Sequence, residues 1–144
     1  MKILVSILIL TFCSQAFAQT PEKEAIKKVI YQLFEGFEKN DTSIVAPILH
    51  KNVIFRAVNL MKKPTTISES GYAKIMDGIA KPKTDNWREI PSDFEIKIDN
   101  QMANVWVKYK FYNGQKYSHK GIDNFILYKE KDQWQIIYLI YTRR

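Results

Sequence analysis

The chain has 144 residues, 22 Lys+Arg against 15 Asp+Glu, a formal net charge of +7 and 46% hydrophobic residues. That balance excludes a disordered tail, and 5 Gly and 5 Pro exclude a fibrous or low-complexity chain. The length fits one domain.

The start reads as an export signal, not as part of the fold. Lys2 supplies the positive end, Ile3 to Cys13 is almost wholly apolar, and Ala16-Phe17-Ala18 is an A-x-A site. The apolar run is shorter than the roughly 20 residues of a spanning helix. Cleavage is expected after Ala18, giving a signal peptide at 1–18 and a domain at 19–144. The weighed alternatives are an uncleaved anchor and a lipoprotein cysteine at Cys13, against which bulky Phe12 argues. Export places the protein in the periplasm or outside the cell, with no membrane attachment after cleavage. Cleavage removes the only cysteine, so neither thiol chemistry nor Cys-ligated zinc is expected. His50 and His119 alone make no obvious metal site; no metal and no cofactor is called for. Losing Lys2 takes the charge from +7 to +6. The remaining lysines are scattered with no basic stripe, so no nucleic-acid partner is expected.

Thr20-Pro21-Glu22 reads as a helix start, followed by Ile26, Val29, Ile30, Leu33, Phe34 and Phe37 at helical spacing. Asn40 closes this helix. Asp41 caps a short second one holding Ile44, Val45, Ile48 and Leu49. Val53–Val58 reads as a strand. Ser68 opens a third helix with Tyr72, Ile75, Met76 and Ile79 on one face, stopped at Lys81-Pro82. Strands follow at Asp93–Asp99, Ala103–Tyr112, Gln115–Lys129 and Trp134–Thr142, with turns at Asn113-Gly114 and Lys131-Asp132. Helices first and then an antiparallel meander is an α+β arrangement.

A two-residue loop at Asn113-Gly114 sets Lys108 opposite His119, Trp106 opposite Gly121 and Asn104 opposite Asp123. The second turn sets Phe125 beside Tyr138 and Asp123 beside Ile140. One sheet face then holds Trp106, Tyr117, His119, Asp123, Phe125, Leu127, Ile136, Tyr138, Ile140 and Thr142. The other holds Val105, Val107, Tyr109, Phe111, Ile122, Ile126, Tyr128, Ile137, Leu139 and Tyr141. Both are apolar, and three helices cover only one. A homodimer through the Val105, Val107, Tyr109, Ile137, Leu139, Tyr141 face is therefore expected.

The run Tyr117-Ser-His-Lys-Gly-Ile-Asp-Asn-Phe-Ile-Leu-Tyr-Lys, then Trp134-Gln-Ile-Ile, then Tyr141-Thr-Arg143 resembles the end of secreted bacterial members of the nuclear-transport-factor-2-like (NTF2-like) superfamily. These are SnoaL-like or lumazine-binding-like proteins of unknown role. The resemblance covers nearly all of 20–144, with one departure: Tyr141 stands where Asp is usual. It implies a cystatin-like cone, with about three N-terminal helices packed on a curved, mostly antiparallel sheet. It also implies a pocket for small apolar or aromatic molecules, used in some branches by isomerases, dehydratases or cyclases with an Asp/His pair.

His119 and Asp123 share a face but stand about 13 Å apart along the strand unless it bulges near Gly121. Each has a structural reading: a hydrogen-bonded core histidine, and a carboxylate paired with Arg56, Arg143 or a helix-end amide. His50 reads as a loop support. Tyr31, Phe34, Phe55, Trp87, Trp106, Phe125 and Tyr138 are expected to wall an aromatic pocket, with Arg56 as an anchor for an anionic ligand. Each aromatic reads equally as core. No nucleophile elbow and no phosphate loop appears. The favoured function is a non-enzymatic module for a small hydrophobic or aromatic molecule. The alternatives are a SnoaL- or ketosteroid-isomerase-like pocket enzyme with His119 and Asp123 as catalytic acid and base, and a scaffold.

Overall fold

The computed structural model describes residues 2–144, with side chains from Pro21 onward. The expected cleavage site, Cys13 and the Thr20 cap lie outside the residues whose side chains are described. Helix α1 (Lys2–Lys39) contains Pro21 and is followed by α2 (Thr42–Val45), a 3-10 turn (Ala46–Ile48), β1 (Leu49–Asn59) and β2 (Thr66–Gly71). Then come α3 (Tyr72–Ala80), β3 (Trp87–Asp99), β4 (Met102–Asn113), β5 (Lys116–Glu130) and β6 (Gln133–Arg143). The strands form one six-stranded sheet in the order β2-β1-β6-β5-β4-β3. All neighbours are antiparallel except β1 and β6, which run parallel, so the sheet is mixed.

The α1 stripe is the expected one. Ile26, Ile30, Leu33 and Phe34 are buried against the sheet, at the spacing that keeps one helix face inward. Asn40 ends the helix with φ 53°, and Asp41 accepts a hydrogen bond from the Ser43 amide at 2.8 Å. Glu22 ties α1 to the far hairpin. Its carboxylate accepts from Lys129 Nζ and from Trp134 Nε1, each at 2.8 Å, and these bonds hold its pKa below the usual value. Four boundaries differ from expectation: α1 runs on through Thr20-Pro21-Glu22 instead of starting there, and Leu49, expected in the second helix, opens β1 four residues ahead of Val53. Ser68 lies in β2, because Ser68 pairs with Ala57 in a ladder that delays α3 until Tyr72. Strand β3 begins six residues early, at Trp87; Pro91 is tolerated because β3 is an edge strand.

The larger difference is which face points inward. Asn113 pairs with Lys116, so the loop is Gly114-Gln115, held by Asn113 Nδ2 on Asp85 and by Gly114 N on Asn86 O at 2.8 Å. A bulge then follows: Tyr112 faces Tyr117 but Phe111 faces His119, leaving Ser118 as the extra residue. Ile137 is extra in β6, since Leu127 faces Ile136 while Ile126 faces Tyr138. A side chain's face alternates with period two, so one extra residue exchanges the faces beyond it. Lys108, Trp106 and Asn104 therefore face Ile122, Asn124 and Ile126 rather than His119, Gly121 and Asp123. Val105, Val107 and Tyr109 join His119, Asp123 and Phe125 on the helix side, and Leu139 and Tyr141 join them from β6.

This corrects the expected dimer face. Val105, Val107, Tyr109 and Leu139 are buried under the helices within one chain. The uncovered face carries Trp106, Ile122, Ile126, Tyr128, Tyr138 and Ile140, with Trp106 44% exposed.

Gly121 sits where three strands converge. The Tyr109 hydroxyl crosses it and donates to Thr142 O at 2.7 Å. A Cβ on Gly121 would overlap Thr142 O and lie 2.6 and 2.8 Å from Tyr109 Cε1 and OH. Gly114, with φ +59°, has open space around it. Gly121→Ala is expected to lower stability by about 3 kcal/mol through overpacking, against about 1 kcal/mol for Gly114→Ala, in urea unfolding monitored by circular dichroism.

Candidate functional site

Beyond the bulges, rows of side chains cross the sheet under α1. One row is Glu89 on β3, Phe111 on β4 and His119 on β5; another is Val107, Asp123 and Tyr141. With Leu33, Phe34 and Phe37 of α1 and Phe55 of β1 they enclose a cavity of about 340 Å³. Trp87, Tyr109, Asn113, Ser118, Leu139 and Arg143 complete its lining.

The walls are aromatic. Trp87 meets Phe111 edge-on at 5.7 Å, and Phe111 stacks on His119 at 4.7 Å and 22°. Lys83 caps the end of α3 by donating to Gly78 O at 2.8 Å, and its ammonium lies 5.1 Å from the Trp87 ring centroid. That contact fixes Trp87 at the rim, where it is 38% exposed.

The polar groups form one island. Arg143 Nε donates to His119 Nε2 at 3.3 Å, which makes that nitrogen the acceptor. His119 Nδ1 then carries the proton and donates to Ser118 Oγ at 3.0 Å. Burial, and then the neighbouring Arg143 charge, hold His119 below its ordinary pKa, so the ring is neutral. Asp123 is 2% exposed and its Oδ2 has no hydrogen-bond partner. Burial, reinforced by Glu89, pushes its pKa well up. Burial also pushes Glu89 up to about 7, with Arg143 pulling the other way. Burial raises the Tyr109 and Tyr141 phenols, and the Tyr109 proton is already committed to Thr142 O. Among the described residues no group of three His, Cys, Asp or Glu could hold a metal ion.

Of the residues singled out in the sequence, Phe34, Phe55, Trp87, His119 and Asp123 line this one cavity. The others do not. Tyr31 is 50% exposed and packs on Phe94 at 5.7 Å, because it lies outside the inward stripe of α1. Phe125 is wholly buried behind Phe34 as core. The bulges turn Trp106 and Tyr138 to the outer face. Arg56 is also on that face, paired with Glu69 at 2.8 Å and lying over Tyr138, so it reaches neither Asp123 nor the cavity. His50 lies in β1, where its Nδ1 accepts from the Asn52 amide at 3.2 Å, and it does not line the cavity. Sequence reasoning missed Glu89, Tyr109, Phe111, Tyr141 and Arg143. The alternation of Trp87, Glu89 and Pro91 carried a strand signal that Pro91 obscured.

A family model described as "Putative lumazine-binding" matches residues 21–142. No curated protein matches the chain. Among solved structures, an NTF2-like protein of unknown function from Shewanella baltica is 18% identical, with a TM-score of 0.66 over 86% of this chain and 94% of that one. An NTF2-like protein with a cystatin-like fold from Novosphingobium aromaticivorans is 9% identical, with a TM-score of 0.73 over 93% and 89%. A protein from the same organism described as "Putative Scytalone Dehydratase" is 16% identical, with a TM-score of 0.68 over 90% and 88%. These likenesses show the NTF2-like, cystatin-like fold.

The raised carboxyls have a consequence for stability. A carboxyl whose folded pKa lies above its unfolded value binds more protons folded than unfolded. Its contribution is complete below the unfolded pKa and is lost as pH rises towards the folded one. For Glu89 that window runs from 4.5 to about 7. Glu89→Gln is expected to reduce the fall in stability across this window by about 1–3 kcal/mol, read from denaturant melts at a series of pH values.

Proposed function

The chain belongs to this lumazine-binding-like family, and from that premise we propose that it is an exported module whose cavity binds a small hydrophobic or aromatic molecule. One observation carries the reading: a cavity of about 340 Å³ walled by Phe34, Phe37, Phe55, Trp87 and Phe111 holds a few convergent polar groups at one end. Mostly apolar lining with few polar anchors, at this size, is the composition of small-molecule sites. The family description supports the same class of ligand.

A second reading is a pocket enzyme with His119 and Asp123 as acid and base. It is supported by both side chains lining one cavity. Against it, both His119 nitrogens are engaged, one by Ser118 and one by Arg143. The binding module therefore stands first. Trp87→Ala, at a half-exposed rim position, is expected to weaken naphthalene binding about tenfold while leaving the melting temperature within a few degrees. Calorimetric titration and a thermal melt check this; unchanged affinity would remove Trp87 from the site.

Export rests on Lys2, the apolar run and Ala16-Phe17-Ala18, and dimerisation on the apolar outer face around Trp106, Ile126, Tyr138 and Ile140. The exported protein is expected to begin at Gln19 by intact mass and to scatter light as twice its chain mass. Trp106→Glu is expected to halve that scattering mass. A chain retaining Met1, or a wild-type monomer at high concentration, would count against these two expectations respectively.

A further inference from the structure

The lysines that look scattered along the sequence gather on the sheet. Strand pairing sets Lys110 of β4 directly opposite Lys120 of β5. Lys120 exchanges backbone hydrogen bonds with Arg144, of 3.0 and 2.9 Å, so a third cation stands beside it. All three are exposed on the face turned away from α1, because Lys110 alternates with Trp106 and Lys120 with Ile122. Like charges directly opposite on neighbouring strands destabilise a sheet. Among the described residues no carboxylate pairs with any of the three: Asp93 takes Lys108, and Glu69 takes Arg56. The described part of the chain therefore leaves this repulsion without an offset.

Apolar side chains flank the row. Ile90 pairs with Lys110 from β3 and is 41% exposed. At the other end the Leu60 amide donates to Arg143 O at 3.0 Å, which ties the β1–β2 hairpin tip to the same edge. The tip runs Leu60-Met61-Lys62-Lys63, and the Met61 amide donates to Asn59 Oδ1 at 3.0 Å, holding it in a defined turn. Leu60, Met61 and Ile67 are 46%, 58% and 70% exposed, and Lys62 and Lys63 are exposed beside them. The sequence has no Asp or Glu between Asp41 and Glu69. Aliphatic side chains and unpaired cations thus project from one end of the molecule.

We propose that this end of the sheet is a docking surface for an anionic lipid bilayer. Lys110, Lys120, Arg144, Lys62 and Lys63 meet the headgroup phosphates, and Leu60 and Met61 enter the acyl boundary beneath them. Aliphatic groups set beside lysines match the layered polarity of a bilayer surface. A nucleic acid would satisfy the cations but offers stacking faces, not a place for an aliphatic tip. Among the described residues no helix is long and apolar enough to cross a membrane, so the contact is peripheral. It revises the expectation of a chain free of membranes once its leader is cut. Lys110 lies four residues from Trp106 along β4, about 13 Å, so the row stands outside the apolar patch expected to dimerise. Nor does the docking depend on what the cavity holds.

The test is co-sedimentation of the exported protein with vesicles of phosphatidylcholine alone and of equal parts phosphatidylcholine and phosphatidylglycerol, at low and high salt. Every variant carries the same N-terminus, so differences between variants read the surface. The wild type is expected to bind the anionic vesicles at least tenfold more tightly than the neutral ones, and to lose that preference as salt rises. The double variant Lys110→Gln, Lys120→Gln should weaken anionic binding about thirtyfold while its melting temperature holds or rises, since opposed charges are gone. Met61→Ser should weaken it about tenfold with the salt dependence unchanged. Equal binding to both vesicles, binding to neither, or a lysine variant that binds as the wild type does would overturn the proposal. A lysine variant that melts well below the wild type would overturn it in favour of a structural role for the row. Tighter binding to a single-stranded oligonucleotide than to anionic vesicles, unchanged by Met61→Ser, would overturn it in favour of nucleic acid.

Discussion

A single phenol holds the sheet in the shape that makes a cavity. Tyr109 leans from β4 across β5, passes over Gly121, and ends on Thr142 O of β6. Strand pairing joins only neighbours, whereas this bond spans two ladders at once. The end of β6 is pinned to β5 by reciprocal bonds between Lys120 and Arg144 of 3.0 and 2.9 Å, and the Ile122 amide donates to Thr142 Oγ1 at 3.0 Å. The result is that Arg143, between these anchors, is delivered to His119 and the cavity rather than to solvent. The side chain missing from Gly121 is thus what lets Arg143 take part in the site.

The polar island runs against the economy of the rest of the core, where Ile26, Ile30, Val105, Val107, Leu127 and Ile136 pack with no polar side-chain atom. Two carboxyls and one imidazole, beside the Arg143 guanidinium, share a space that disfavours the charged forms of all three. A core selected for stability alone would replace Asp123 by an apolar residue of similar volume. Perturbed and unsatisfied groups collected in one cavity are the pattern expected where stability has yielded to a task.

The helices, the hairpins and the α+β class were legible in the sequence because periodicity and capping are local signals. The α1 stripe and the Asp41 cap fall where spacing puts them. The faces of the sheet were not legible, since they depend on a count carried along the strands. Ser118 and Ile137 bear no mark that distinguishes a bulged residue from a paired one, yet each reverses the assignment beyond it. His119 and Asp123 consequently gained neighbours no alternation rule would give: Phe111 and Tyr141 rather than Lys108 and Ile140. Arg56 failed for a different reason: its pairing with Glu69 depends on β2, whose polar run Thr66–Gly71 lacks a strand's apolar alternation. Tyr141 occupies, beside Asp123, the place where the resemblance expects an acid; a carboxylate there would have given the cavity a third.

The two bulges also give the molecule a latent alternative. Both faces of β4, β5 and β6 are apolar enough to form an interior: one set is Val105, Val107, Phe125 and Leu139, and the other is Trp106, Ile126, Tyr138 and Ile140. Substitutions adjust the cavity one wall at a time. Loss of a single codon at Ser118 or Ile137 would instead work like a frameshift in three dimensions, exchanging whole rows between lining and surface. For a family built on this sheet, length changes of one residue are therefore a route by which a pocket can be exchanged wholesale while the sequence around it barely changes.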